Sequence, residues 1–234
     1  FGEQPYNDDS GRTYVVMILT AMAISMIVPE FIPDEKWHYY SIFTIFAMGA
    51  LYVLFLRQQV GVHSYFFSYS YPKSRGGVSE HGDSPTAPSV ALLIGGVVLI
   101  GLLAEVMSGF FNRGLEGSGA PPALAAVVVA SISAAPEILT ALRAALANRM
   151  QAVINIALGA SLSTVILTVP VMEAIALFSG QPFVMAMTPV QTTMVLVTLI
   201  VAAINLSDGE TNAIEGMTHF VLFATFVMLT FLGL

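Results

Sequence analysis

A glutamate that directly follows a proline, Glu137, stands among small and hydroxyl-bearing residues inside a long apolar stretch. Ser133 precedes it by one helical turn, so the two side chains share a face on a helix, and Ser131 adds a further hydroxyl. Pro136 has no N–H group, so a helix that contains it loses the hydrogen bond to the carbonyl of Ile132. We therefore predict a helix break at Pro136, where a carboxylate, hydroxyls and a freed carbonyl could hold a hard cation such as Ca²⁺.

Glu137 and Glu105 are carboxylates inside the apolar segments that we predict to cross a membrane. A charge at the centre of a bilayer costs about 2.5–3.5 kcal/mol on insertion scales, and such residues usually face a cavity or an ion pathway. Glu137 is therefore a predicted cation and proton ligand, and Glu105 is a second candidate metal ligand. The alternative for both is a protonated carboxylic acid that bonds a neighbouring helix and has a structural role only.

Oxygen-bearing side chains recur in the apolar segment that follows. Ser161, Thr164 and Thr168 are spaced by three and then four residues, so on a helix their hydroxyls line one face. Asn155 and Ser163 add further oxygens to the same segment. We predict that Ser161, Ser163 and Asn155 help to line a cation pathway beside the acidic helix. The alternative is that each hydroxyl only bonds the backbone of its own helix, as is common in apolar helices.

The elements that must carry these side chains are membrane-spanning helices. Of the 234 residues, 56% are apolar and only 10% are charged, whereas a soluble domain carries about 25% charged residues. The apolar residues fall in blocks of about 20, the length that a helix needs to cross the hydrocarbon layer. We predict an all-α integral membrane protein with about seven transmembrane helices, at residues 13–32, 39–56, 90–111, 121–147, 150–178, 183–206 and 213–234.

Charge and motif content exclude several classes of function. The net charge of −7 argues against nucleic acid as a partner, because phosphate binding needs a basic patch. The absence of cysteine excludes disulfides, thiolate metal sites and cysteine nucleophiles. The sequence contains no H-E-x-x-H, G-x-S-x-G or Walker motif. We therefore predict that the protein is not an enzyme and has no cofactor.

Polarity divides the chain into four predicted parts. They are a polar tail at residues 1–12, two spans within residues 13–56, a linker at residues 57–89 and five spans within residues 90–234. Six of the eight Lys and Arg residues fall on the side of the membrane that holds the linker, which predicts a cytoplasmic linker and an outward C-terminus. The linker is interpreted as a flexible tether, and a weak regulatory cation site at Glu80, His81 and Asp83 is the alternative.

Three stretches of the chain resemble the calcium/cation antiporter superfamily, and within it the cation/proton exchanger branch and bacterial calcium/proton antiporters. They are SISAAPE at residues 131–137, the segment at residues 148–170 with its basic turn and closing proline, and SDGETNAIEG at residues 207–216. The pair Ala104–Glu105 also matches an acidic position of the family. The usual motif reads G-N-A-A-E-H, so its asparagine and histidine are absent here, and Ser163 stands where glutamine is common. The glutamate is kept, but the transported ion is left open between Ca²⁺ and Na⁺ or K⁺.

The resemblance implies a larger fold than seven helices. Members of the superfamily pair two inverted repeats in about ten or eleven helices, and each repeat contributes a glutamate to a site at the membrane midplane. This chain begins with Phe1 and carries one such motif. We therefore expect it to be the C-terminal part of a longer protein, with the first repeat as a partner upstream, and we expect the segment alone not to transport.

The function implied by the resemblance is secondary antiport across a bacterial inner membrane, in which Ca²⁺, Na⁺ or K⁺ competes with H⁺ for Glu137. The other partners are the lipid bilayer and the transported ions, and homo-oligomerisation is left open. The main alternative, from another class, is a non-transporting membrane scaffold or assembly subunit, in which Glu137 is structural.

Overall fold

The computed structural model describes residues 2–60, 64–68, 86–115, 122–180 and 187–233, and it is helical almost throughout these ranges. The α-helices are α1 (Asp8–Met22), α2 (Trp37–Val60), α3 (Thr86–Leu115), α4 (Pro122–Leu146), α5 (Met150–Ser163), α6 (Val169–Ser179), α7 (Pro189–Asn205) and α8 (Ala213–Phe231). Short 3₁₀ and π segments occur at Ala23–Ile27, Val28–Phe31, Asp34–Lys36, Ser64–Phe67 and Thr164–Thr168. Two short strands, β1 (Gln4–Pro5) and β2 (Glu210–Thr211), complete the described elements.

Six helical segments of the described chain are long and apolar enough to cross a membrane. They are Asp8–Phe31, Asp34–Val60, Val90–Met107, Ala126–Leu146, Met150–Ser179 and Ala213–Phe231. The apolar helix α7 has 17 residues, which corresponds to about 25 Å. The prediction of an all-α integral membrane protein is therefore confirmed.

Two of the spans contain a π-helical turn followed by a proline. After α1 the chain forms the π-turn Ala23–Ile27 and then the 3₁₀ turn that contains Pro29. In the span formed by α5 and α6, the π-turn Thr164–Thr168 comes directly before Pro170. A proline cannot donate to the carbonyl four residues back, and in both spans that carbonyl lies inside the wider π-turn. Each π-turn thus lies at the carbonyl that the following proline leaves without its helical hydrogen bond.

The break predicted at Pro136 is wrong, because α4 continues through this residue without interruption. Proline is tolerated inside membrane helices where side chains and small local adjustments satisfy the backbone. The carbonyl of Ile132 loses its partner to Pro136, and the hydroxyl of Thr140 donates one turn further on, to the carbonyl of Pro136 itself, at 2.7 Å, a bond of the kind that bends a helix without ending it. Glu137 therefore lies on a continuous helix.

The chain divides into two compact units, residues 1–69 with 129–234 and residues 70–128. In the first unit α1 packs on α5, and α2 packs on α6. The residues that are fully buried between them are mainly apolar and include Tyr14, Met48, Leu162, Ile166 and Val169. The ring of Tyr14 lies 5.4 Å from that of Phe67 and 5.7 Å from that of Phe55, centroid to centroid. This core fixes α5 and its π-turn against the N-terminal helices.

The segment before α1 is tied to the turn before α8. Strand β1 pairs antiparallel with β2, and the backbone N–H of Tyr6 donates to the carbonyl of Gly209 at 2.8 Å. Asn212 begins α8 with a capping box, in which its side chain accepts from the backbone of Glu215 and the Glu215 carboxylate accepts from the Asn212 backbone. The segment before α1 and the turn before α8 are thereby held together.

Replacing Gly209 with alanine is expected to destabilise this junction. Gly209 has φ of 81°, and a Cβ at this position would lie 3.2 Å from the carbonyl oxygen of Tyr6. Since left-handed geometry costs an L-residue about 1–2 kcal/mol, thermal unfolding of the detergent-solubilised protein should begin at a lower temperature. The control is Gly216→Ala, since Gly216 is helical and has open space around it. Equal stability of the two variants would contradict the assigned role of Gly209.

Candidate functional site

Glu137 lines an open groove of about 900 Å³ inside the first unit. We call this the Glu137 groove. Its walls are α4, α5, the π-turn Thr164–Thr168 and the end of α1, and its polar lining residues are Glu137, Ser133, Ser161 and Thr164. The predicted shared face of Glu137 and Ser133 is therefore present, and hydroxyls of the following span lie in the same groove.

Small residues keep the groove open. On α4 the lining positions recur at intervals of three and four residues and include Ala130, Ala134, Ala141 and Ala145. The opposing helix α5 contributes Ala157 and Ala160. Because an alanine fills little volume, these positions leave the groove open between the two helices. The remaining lining residues are apolar, so Glu137 supplies the negative charge of the groove.

The hydroxyls of Ser161 and Thr164 each bond the backbone of their own helix, and their role in a cation pathway stays a prediction. Ser161 donates to the carbonyl of Ala157 at 2.8 Å, and Thr164 donates to that of Ala160 at 2.9 Å. A hydroxyl has one donor hydrogen and two acceptor lone pairs. The hydrogen is used within the helix, while the oxygen lone pairs can still face a cation.

The carboxylate of Glu137 has no hydrogen bond or ion pair to any other residue in the described ranges, and its side chain is exposed. Within those same ranges, no three His, Asp or Glu side chains cluster closely enough to hold a metal ion. A single carboxylate with two or three hydroxyls falls short of the six to eight oxygens that Ca²⁺ takes. Further ligands would have to come from water or from another part of the protein.

Asn155, Ser131 and Ser163 are not among the described residues that line this groove. The side-chain amide of Asn155 donates to the carbonyl of Phe67 at 2.8 Å and accepts from Gln151 at 3.0 Å, so it fastens the segment Ser64–Phe67 to α5. Glu105 is exposed on α3. The alternative cation site at Glu80, His81 and Asp83 lies outside the described residues.

Sequence reasoning missed Glu173, a carboxylate within the predicted span at residues 150–178. In the structure it lies on α6 with only 4% of its surface exposed. Its Oε2 atom is buried and has no hydrogen-bond partner within the described ranges. The available signal was an acidic residue inside an apolar run, the same signal that marks Glu137.

In a comparison with known proteins, residues 88–232 match the family described as sodium/calcium exchanger protein. The putative ionic transporter y4hA of Sinorhizobium fredii is 29% identical over 97% of this chain and 63% of its own length. The sodium-potassium/proton antiporter ChaA of Escherichia coli is 26% identical over 99% of this chain and 64% of its own. A Ca²⁺/H⁺ antiporter of Aphanothece halophytica is 23% identical over 95% of this chain and 62% of its own. The chain thus spans a little under two thirds of the length of these relatives.

Proposed function

Because this chain belongs to the sodium/calcium exchanger protein family, we propose that it forms part of a secondary antiporter that exchanges Ca²⁺, or Na⁺ and K⁺, for protons. The family match covers residues 88–232 and confirms the resemblance carried by residues 131–137, 148–170 and 207–216. The relatives are named for transport, and two of them for sodium-potassium/proton and calcium/proton antiport. These names leave Ca²⁺, Na⁺ and K⁺ all open as the cation of this protein.

Competition at Glu137 is the proposed mechanism. In the ionised state, the carboxylate holds a partly dehydrated cation together with the hydroxyl oxygens of Ser133, Ser161 and Thr164. A proton on the carboxyl group removes the negative charge and the cation leaves. One site can therefore carry either ion but not both, and this links their movement in opposite directions. A second carboxylate from an upstream inverted repeat would complete the charge needed for Ca²⁺.

The observation that supports this mechanism is the common groove, in which a membrane-embedded carboxylate meets hydroxyls from a second span. The proposal is tested by reconstituting the full-length protein in liposomes and following internal pH after a gradient of Ca²⁺, Na⁺ or K⁺ is imposed. Proton movement that requires one of these cations supports antiport. Proton movement independent of all three would contradict it and favour the scaffold alternative.

Orientation and layout extend the proposal. The distribution of Lys and Arg favours a cytoplasmic segment at residues 57–89 and an outward C-terminus. On this basis residues 13–56 close the first half of the exchanger, residues 90–234 form its second repeat, and the whole protein lies in a bacterial inner membrane.

Removing one hydroxyl from the groove is expected to weaken cation binding. In Thr164→Val the side chain keeps its shape but loses an oxygen ligand worth about 1 kcal/mol. The cation concentration for half-maximal exchange should rise by about fivefold, while the maximal rate changes less. The measurement is exchange rate against cation concentration in liposomes.

The matched control for this change is Thr225→Val. Thr225 on α8 makes the same bond within its own helix, to the carbonyl of Val221 at 2.8 Å, but it is not among the described residues that line the groove. This control should leave the cation dependence unchanged. Equal shifts in both variants would show that the effect comes from helix stability and not from ligation.

A further inference from the structure

Glu173 is the only carboxylate that is buried among the residues that the structure describes. The buried positions of α6 are Val169, Glu173 and Ala176, which are spaced by four and then three residues and therefore form one face. Glu173 occupies the middle of this face, with 4% exposure. Neither lipid nor water therefore has ready access to its carboxyl group.

The helix α2 packs against α6 and brings a second buried polar group. Ser41 is fully buried, and its hydroxyl oxygen has no hydrogen-bond partner within the described ranges. Thr44, one turn further along α2, is also fully buried and donates to the carbonyl of Tyr40 at 3.1 Å. Glu173 and Tyr40 are close enough to interact electrostatically, so Glu173 lies at the level of the first two turns of α2.

Among the residues that the structure describes, no ion pair offsets the buried carboxyl group of Glu173. The titratable side chains of α2 besides Tyr40 are His38, Tyr39, Tyr52 and Arg57, and none of them forms an ion pair with Glu173 within the described ranges. Residues 150–168, which form α5 and its π-turn, contain no titratable side chain. An unpaired carboxylate is very costly in such surroundings, and a bound proton removes that cost because it neutralises the group. A carboxylic acid has one donor and spare acceptor capacity, and Ser41 offers an unused oxygen on the facing helix.

The depth of Glu173 separates it from Glu137. Glu137 lies nine residues before the end of α4 at Leu146, or about 14 Å along the helix. Glu173 lies 23 residues after the start of α5 at Met150, or about 35 Å from the same end of the helix pair. The two carboxyl groups are therefore about 20 Å apart along the span, which is too far for one cation to contact both.

We propose that Glu173 and Ser41 form a second proton-binding site, in which the carboxyl group of Glu173 is protonated and exchanges its proton during transport. A purely structural acid would use its O–H in a bond between helices, yet Oε2 of Glu173 and Oγ of Ser41 bond neither each other nor any other group within the described ranges, so both are free to bond once a proton is taken up. Such orphaned buried groups require an explanation other than packing. The role of this proton in transport rests on the proposed antiport function. The presence of the proton on Glu173 does not depend on that function.

The bound proton is tested directly by infrared difference spectroscopy on the full-length protein, comparing acidic with alkaline buffer. We expect a C=O stretching band of a protonated carboxylic acid that disappears in Glu173→Gln and shifts in frequency in Ser41→Ala. Ser179→Ala is the control, since Ser179 lies exposed at the end of α6. A wild-type spectrum with no band assignable to Glu173, or a band unmoved by Ser41→Ala, overturns the site.

The role in transport is tested by the pH profile of exchange in liposomes. We expect Glu173→Gln to shift this profile, although glutamine keeps the size of the side chain. Loss of the infrared band with an unchanged pH profile would show a structural acid and overturn the transport role. The same Glu173 band can be followed in the Glu137→Gln protein. If it disappears when Na⁺, K⁺ or Ca²⁺ is added, a cation takes the place of the proton at Glu173, and the assignment as a proton site is overturned. If the band is present in a wild-type protein that shows no exchange, the proton site stands and the antiport proposal fails.

Discussion

Exchange of a cation for protons is expected to fall to the background rate when Glu137 is replaced by glutamine in the full-length protein. Glutamine matches the carboxylate in shape but carries no charge and cannot take up a proton. The Glu137 groove would then offer only hydroxyls and water to a cation that has lost part of its hydration shell. The measurement is cation-driven proton movement in liposomes that contain equal amounts of wild-type and variant protein.

Folding of this variant should be nearly unchanged. Glu137 is exposed in the described chain, and substitutions at such positions usually alter the free energy of unfolding by less than about 0.5 kcal/mol. The control is Glu35→Gln, which changes an exposed carboxylate on the 3₁₀ turn Asp34–Lys36, away from the groove, and should leave exchange intact. Wild-type exchange rates in Glu137→Gln would end the proposed mechanism.

Filling the groove is expected to block exchange even though every ligand is kept. Ala134 lines the groove on α4, one turn before Ile138 and next to Ser133. Ala134→Leu inserts a larger apolar side chain into the space that the cation must occupy. In a packed protein interior, overpacking of this kind costs about 1–3 kcal/mol. We expect a similar cost for seating the cation beside the inserted leucine, and about 1.4 kcal/mol corresponds to a factor of ten in binding. Exchange should therefore fall by about tenfold or more in the same liposome assay.

Ala224→Leu on α8 makes the same change on an exposed helix face, so it controls for the added bulk. Thermal unfolding of both variants in detergent shows whether either of them loses its fold. An Ala134→Leu protein that exchanges ions at the wild-type rate would mean that the cation passes elsewhere, and Glu137 would then lose its assigned place on the pathway.

Membrane class and span positions could be predicted from the sequence alone. The spans predicted at residues 13–32, 150–178 and 213–234 correspond to the helical segments Asp8–Phe31, Met150–Ser179 and Ala213–Phe231. The prediction succeeds because the length and polarity of an apolar segment are local properties, and the thickness of the bilayer sets the length that a spanning helix needs. The common face of Glu137 and Ser133 was predictable for a similar reason, since helical periodicity fixes it within one turn.

Backbone distortion was not predictable in the same way. The prolines Pro29, Pro136 and Pro170 all remove one helical hydrogen bond, yet π-turns accompany only the first and the last of them. Whether a helix widens or continues at a proline depends on what packs beside it, which lies far away in the sequence. The sequence identifies the missing donor but not the structural response.

The sequence by itself thus determined the membrane helices, the family motifs and the position of Glu137 within an apolar segment. Only the tertiary structure decided which oxygen-bearing side chains line the same groove as Glu137, because that depends on helix contacts between separate spans. Asn155 is bound to the carbonyl of Phe67, while Ser161 and Thr164 reach the Glu137 groove. Glu173 is buried against α2 for the same reason, since its neighbour in space lies more than a hundred residues away in the chain.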